Sequence, residues 1–275
     1  MRKRRRRVSI FASIFRRGFS PQMFLACVSL FAFCAACAPV QNTADPLTWM
    51  GPRKLQELGE KFMAAGDTGQ ALRYLVAAEK KAPKDPSIHY DLGLAYQERR
   101  LEDKALEHLH RAVALQPDYS EAHNALGVLY AKRGQSDKAL EHFRRALANP
   151  FYRTPHYAYF NMGKIYQEKA RYAEALHYFD EAIHFEKGYA QAHLQRGRVL
   201  EALGRKGEAK HAYQLAVYYD PDLPEAQFHY GRFLAQEGNW DDAAQAFRRV
   251  IRLAPGTSLA DAAANYLHTM GFKDE

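Results

Sequence analysis

Twelve histidines and three cysteines are the side chains of this 275-residue chain best equipped for chemistry. An imidazole can ligate a metal ion or carry a proton near neutral pH, and a thiolate can attack or hold a covalent group. The histidines keep a spacing. His89 and His123 are 34 residues apart, His193 follows 70 further on, and His108 and His142 are again 34 apart. His108 and His110 flank Leu109, but side chains two apart on a helix point in different directions and make a poor ligand pair. Residues that recur at a fixed period are most simply packing or surface positions of a repeated template. The sequence contains no glycine-rich phosphate loop, no histidine-glutamate zinc motif and no nucleophile elbow. The expectation is therefore a protein that is not an enzyme, with no cofactor and no metal.

The elements that carry these residues follow from smaller side chains. Ala71, Ala105, Ala139, Ala175, Ala209 and Ala243 are separated by 34, 34, 36, 34 and 34 residues. Twelve residues before each lies a glycine (Gly59, Gly93, Gly127, Gly163, Gly197, Gly231), and seven after lies Ala78, Ala112, Ala146, Ala182, Ala216 or Val250. Such a period announces a helical solenoid. The glycine falls in a first amphipathic helix where a neighbour must come close, which offsets its helical penalty of roughly 1 kcal/mol. The alanines open a second helix, and Leu75, Leu109, Phe143, Phe179, Tyr213 and Phe247 fill the space one turn later. Pro83, Pro117, Pro221 and Pro255 end second helices, because proline cannot continue the hydrogen-bond ladder.

Leu92-Gly93-Leu94-Ala95-Tyr96, Ala139-Leu140-Glu141-His142-Phe143 and Pro117 resemble the signature elements of the tetratricopeptide repeat. The resemblance implies an all-α, right-handed superhelical solenoid of six helix-turn-helix units, at 52–85, 86–119, 120–153, 156–189, 190–223 and 224–257. A capping helix and tail over 258–275 would cover the last open face. Two departures stand out. The third unit ends two residues long, at Asn149-Pro150-Phe151-Tyr152-Arg153-Thr154-Pro155, and the fourth has Lys187-Gly188 where proline belongs.

Charge and cysteine gather at the other end. Arg2, Lys3, Arg4 to Arg7, Arg16 and Arg17 account for the whole formal charge of +8, so the repeats carry no net field to attract nucleic acid. About eleven apolar residues from Met23 to Phe33 follow, short for a membrane span of roughly 20 residues and suited to a cleaved signal. All three cysteines (Cys27, Cys34, Cys37) lie here, so the repeats can form no internal disulfide. Ala35-Ala36-Cys37 resembles a bacterial lipobox, although Cys34 stands where leucine is preferred. The segments expected are a lipoprotein signal peptide over 1–36 and, over 37–51, a lipidated Cys37 with a flexible tether. An uncleaved anchor helix is the alternative, and Arg16-Arg17-Gly18-Phe19 bears a faint likeness to a twin-arginine export signal. Ala38 with no aspartate beside it resembles the sorting pattern of lipoproteins sent to the outer membrane of Gram-negative bacteria, with the repeats facing the periplasm.

The tetratricopeptide resemblance further implies a peptide-binding groove lined by positions 2, 5, 9 and 12 of each unit. The residues singled out are Tyr90, Leu94, Asn124, Val128, Tyr157, Phe160, Lys164, Leu194, Arg198, Phe228 and Arg232. They would form an apolar stripe with Lys164, Arg198 and Arg232 at its far end, suited to an amphipathic segment of a protein partner that carries acidic groups. The irregular junction at Pro150-Phe151-Tyr152 and Pro155, leading into Tyr159-Phe160-Asn161-Met162-Gly163, is similar to that of type IV pilus biogenesis and stability lipoproteins, the pilotins. That resemblance covers chiefly 117–257 and implies a role in bringing secretin subunits to the outer membrane. The alternative is a general tetratricopeptide scaffold lipoprotein for another envelope assembly, such as polysaccharide export or outer-membrane protein insertion.

Overall fold

Proline opens four of the first helices, where its missing N–H is no loss and its fixed φ suits the first turn. A computed structural model describes residues 46–272 and folds them into fourteen helices, with no strand among the described residues. Helix α1 (Pro46–Trp49) is a single turn inside the stretch expected to be a tether. The signal segment, Cys37 and residues 38–45 lie outside the described residues. The repeats begin at α2 (Pro52–Ala64) and α3 (Thr68–Lys81), then α4 (Pro86–Glu98) and α5 (Glu102–Leu115), and α6 (Ser120–Lys132) and α7 (Ser136–Leu147). They continue as α8 (Pro155–Glu168) and α9 (Tyr172–Phe185), α10 (Ala190–Ala202) and α11 (Lys206–Tyr219), and α12 (Pro224–Gln236) and α13 (Trp240–Leu253). These are the six expected units, the fourth starting one residue early at Pro155.

Every first helix stops in the same way. The N–H five residues beyond the last bulky side chain bonds back to its carbonyl: Asp67 to Phe62, Leu101 to Tyr96, Gln135 to Tyr130, Arg171 to Tyr166, Arg205 to Leu200 and Asn239 to Leu234, at 2.8–2.9 Å. This Schellman closure puts one residue in the left-handed region. Glycine supplies it four times (Gly66, Gly134, Gly204, Gly238), whereas Arg100 (φ 58°) and Ala170 (φ 53°) adopt it at a cost of about 1–2 kcal/mol each.

The core is a repeated ring or isobutyl group seated on a glycine. A methyl added to Gly127 would lie 2.5 Å from Phe143 Cε1, one on Gly163 2.7 Å from Phe179, one on Gly197 2.6 Å from Tyr213, and ones on Gly59 and Gly93 2.6 Å from Leu75 and Leu109. What the glycine admits is therefore the side chain sixteen residues on, together with the second-helix backbone behind it. The six alanines and the residues seven after them are all fully buried. Helix α14 (Ser258–Thr269) is the expected cap: Thr257 caps its N-terminus and Tyr266 stacks on Phe247 at 4.9 Å and 13°.

Both departures are absorbed locally. Asn149 Oδ1 accepts from the Phe151 N–H at 3.0 Å, a tight turn that takes up the extra residues, buries Tyr152 and leaves Phe151 86% exposed. The histidines explain the second. His89 and His123 bond through Nε2 to the Pro83 and Pro117 carbonyls at 3.0 and 2.9 Å; His193 makes the same bond to Lys187 O, and Gln227 to Pro221 O, both at 2.9 Å. The loop is fixed by its carbonyl, so Lys187 serves where proline is missing.

A polar network joins the fifth and sixth units. The Tyr213 hydroxyl donates to Glu201 Oε2 at 2.6 Å, Arg232 Nη2 donates to Glu201 Oε1 at 2.9 Å, and His229 stacks on Tyr213 at 4.8 Å and 12°. Burial would raise Glu201, but Tyr213 and Arg232 together outweigh it and hold the carboxyl below its usual range. Burial, reinforced by Arg198 and Arg232, pushes His229 down to about 4.

Two stability predictions follow from these contacts. Gly127→Ala forces the Phe143 ring out of its seat and should cost about 1–3 kcal/mol, despite a helix-propensity gain of about 1 kcal/mol. Gly231→Ala meets Phe247 at 3.1 Å and Ala246 at 3.2 Å and should be roughly neutral. Urea midpoints for the two variants check the ordering, and equal losses would remove the seat from the account. For His229 the folded pKa lies below the unfolded value of about 6.5, so unfolding takes up a proton between pH 6.5 and 4 and stability is lost as pH falls through that window. His229→Phe keeps the stack and should spare about 2 kcal/mol of the wild-type loss between pH 7 and pH 4.5. Parallel losses in the two proteins would show that His229 is not the group responsible.

Candidate partner-binding groove

First helices of successive units touch along the array, α2 with α4, α6 with α8, α8 with α10, and α12 with α14. They therefore form one wall, and positions 2, 5, 9 and 12 of each lie along it. Tyr90 and Leu94 are half-buried against the core of the second and third units, Val128 and Phe160 against that of the third and fourth. Tyr157 is 45% exposed and Lys164 is exposed. Val128 and Ala131 of α6 meet Asn161, Lys164 and Ile165 of α8 around one shallow hollow, so the structure brings together an apolar and a cationic residue expected to act together.

Three expectations need correction. Leu194 is only 2% exposed and belongs to the core around Tyr213, because α10 packs that face onto the second helix of its own unit. Phe160 and Phe228 rest on the seated rings Phe179 and Phe247, each at 5.8 Å, and Phe228 is also edge-on to Tyr266 of the cap at 5.8 Å. They offer an edge to the groove and support the core with the rest. Arg232 is bonded to Glu201, with its other amino nitrogen 3.2 Å from His229 Nδ1. Lys164 and half-buried Arg198 are left as the cations of the proposed patch.

Two tyrosines were missed. Tyr119 and Tyr189 close the second and fourth units just before α6 and α10 and pack on position 5 of the same unit, Tyr90 at 5.2 Å and Phe160 at 5.0 Å. Tyr189 also meets Tyr157 edge-on at 5.7 Å. Burial pushes Tyr90 and Tyr189 up to about 12, so both remain neutral hydroxyl donors. Tyr119 and Tyr189 are signalled in the sequence by their shared repeat register, 70 residues apart. Two amide oxygens along the wall, Gln97 Oε1 and Asn124 Oδ1, are buried with no hydrogen-bond partner among the described residues. A buried acceptor left unpaired costs the fold about 1–3 kcal/mol.

The wall thus combines aromatic edges with an exposed lysine, the equipment of a peptide-binding surface. The tetratricopeptide repeat family matches residues 57–106, 85–149, 156–186 and 194–257. Among solved structures the chain is similar to PilW, a widely conserved type IV pilus biogenesis factor, with 21% identity over 77% of this chain and 97% of that one and a TM-score of 0.67. It is similar to PilF of Pseudomonas aeruginosa, with 19% identity over 77% and 95% of the two chains and a TM-score of 0.71. A third likeness is YrrB, a tetratricopeptide protein with an unusual peptide-binding site, with 19% identity over 70% and 97% and a TM-score of 0.52. No curated protein sequence matches the chain. At these identities the structural likeness establishes the fold, and the matched repeats establish the lineage: the chain belongs to the tetratricopeptide repeat family.

Proposed function

We propose that this chain is a non-enzymatic interaction scaffold, anchored through a lipid on Cys37 to the periplasmic face of the outer membrane, and that it acts as a pilotin-like factor for a type IV pilus secretin. The observation that carries the binding half is the aromatic strip at the junction of the fourth and fifth units. There Tyr157 is exposed beside Tyr189 and Phe160, with Lys164 seven residues further along the same helix. A partner helix or strand with apolar side chains and an acidic group would cover the strip and meet Lys164. The pilus half draws support from the likeness to PilW and PilF, which extends over 97% and 95% of those chains. The anchoring half rests on the sequence alone, through the apolar segment that ends at Cys37.

Tyr157 stands off the core, so Tyr157→Ala should leave the fold intact and weaken partner binding by roughly tenfold or more, as expected of a central aromatic anchor. Lys164→Glu should chiefly slow association and reduce its salt dependence, since exposed charges steer encounters more than they hold complexes. Capture from detergent-solubilised outer membranes, with binding kinetics on what is retained, checks both. Equal recovery of a secretin by wild type and Tyr157→Ala would remove the groove as its surface. Recovery of a different envelope protein would overturn the pilotin reading in favour of a general scaffold.

Anchoring has its own test. Cys37→Ser should abolish incorporation of labelled fatty acid and move the repeats into the soluble periplasmic fraction. Wild-type protein that takes up no label would overturn the lipoprotein reading.

A further inference from the structure

We propose that Glu79, His89 and His108 form a binding site for a divalent transition-metal ion, zinc or its close analogues, at the joint between the first and second repeats. The three residues come from α3, α4 and α5. His89 Nδ1 lies 3.2 Å from His108 Nδ1 and 3.6 Å from Glu79 Oε1, and His108 Nδ1 lies 3.9 Å from the same carboxylate oxygen. A triangle with those sides has its centre about 2.1 Å from every corner, the bond length zinc makes to imidazole nitrogen and carboxylate oxygen. Two neutral imidazoles and one carboxylate are a common three-ligand set for zinc, with water in the remaining position. His108 and Glu79 keep 14% and 25% side-chain exposure, which gives an ion a way in.

The support behind the ligands is also in place. His89 is fully buried, and its other nitrogen, Nε2, is bonded to the Pro83 carbonyl at 3.0 Å. That bond places the proton on Nε2 and leaves Nδ1 as the lone-pair nitrogen facing the centre, the arrangement that orients metal-bound histidines. Tyr96 stacks on His108 at 5.3 Å and 21°, holding the second ring.

The repeat register supplies an independent argument. The residues equivalent to Glu79 in the other five units are Val113, Leu147, Ile183, Val217 and Ile251. A carboxylate thus replaces an aliphatic side chain at a half-buried position once in six, and in the unit that packs on a histidine pair. The third unit has the same pair, His123 and His142, with Nδ1 atoms 3.0 Å apart and Nε2 on the Pro117 carbonyl, but Val113 stands where the carboxylate would be. His110 does not complete it; its Nε2 is engaged with the Tyr130 hydroxyl at 2.8 Å. The expectation of no metal came from weighing His108 with His110, neighbours in sequence, whereas the fold joins His108 to His89 and Glu79. An ion there would tie the second helix of the first unit to both helices of the second.

The test uses the untagged full chain, stripped with chelator and titrated with zinc chloride by calorimetry and with cobalt chloride by visible absorption. The expected result is one ion held at micromolar affinity or better, with slower amide exchange in α3, α4 and α5 when it is bound. His108→Ala should weaken binding by more than roughly a hundredfold and Glu79→Gln by roughly tenfold or more, while His142→Ala leaves it unchanged. Ions held by Cys27, Cys34 or Cys37 would persist in His108→Ala, so the site is the fraction that this variant loses. No such fraction, or equal loss in His142→Ala, would overturn the proposal and leave the triad as a hydrogen-bonded carboxylate and imidazole pair.

Discussion

The contact on which this solenoid depends is a bulky side chain resting on bare glycine backbone, once per unit. Five of the six seats leave no room for a methyl group, and the sixth, at Gly231, is only a few tenths of an ångström looser. The seat fixes how closely two helices of one unit approach, and the fully buried alanines at the crossing follow from that closeness. A fixed crossing in turn needs a fixed distance along the chain between glycine and seated side chain, so the fifteen residues between them keep constant length in all six units. The two-residue insertion falls at 149–155, between units, where an asparagine turn absorbs it without disturbing either seat. Length varies where no close contact is at stake.

That constraint explains why the architecture was legible in the sequence. Glycine, alanine and the bulky residue are each required by the same crossing, so their spacing marks the units to within one residue at Pro155. The Schellman closures were visible only in part. Gly66, Gly134, Gly204 and Gly238 signal them, but Arg100 and Ala170 hold the same backbone conformation with no help from their side chains, because the bonded helices on either side dictate it.

The groove was less legible, for a physical reason. A position number says which face a side chain leaves from and does not say how far the next helix covers it. Leu194 is covered almost entirely, Phe160 and Phe228 for the most part, and Tyr157 least, although three of the four share position 5 and the last is position 2. Arg232 was read as a free cation because Glu201, its partner, lies 31 residues away in another unit. The histidines hid a double use: Nε2 serves the repeat template by fixing a loop carbonyl, and Nδ1 remains available for whatever the register places opposite. Among the described residues, only beside Glu79 is that a second ligand type.

Binding and stability are coupled through this wall. Phe160 presses on Phe179, and Tyr189, at the end of the same unit, presses on Phe160, so the residues that would grip a partner also stand where one repeat hands over to the next. In a solenoid, stability is nearly a sum of unit terms and nearest-neighbour interfaces. A partner lying across several units adds contacts to those interfaces, and by linkage it stabilises the folded array as strongly as it prefers the array to the separated units. An ion at Glu79, His89 and His108 would act on the same kind of term at the first interface. Occupancy at the two places need not communicate through any moving part: each stiffens its own joint, and in a nearest-neighbour array the two contributions add.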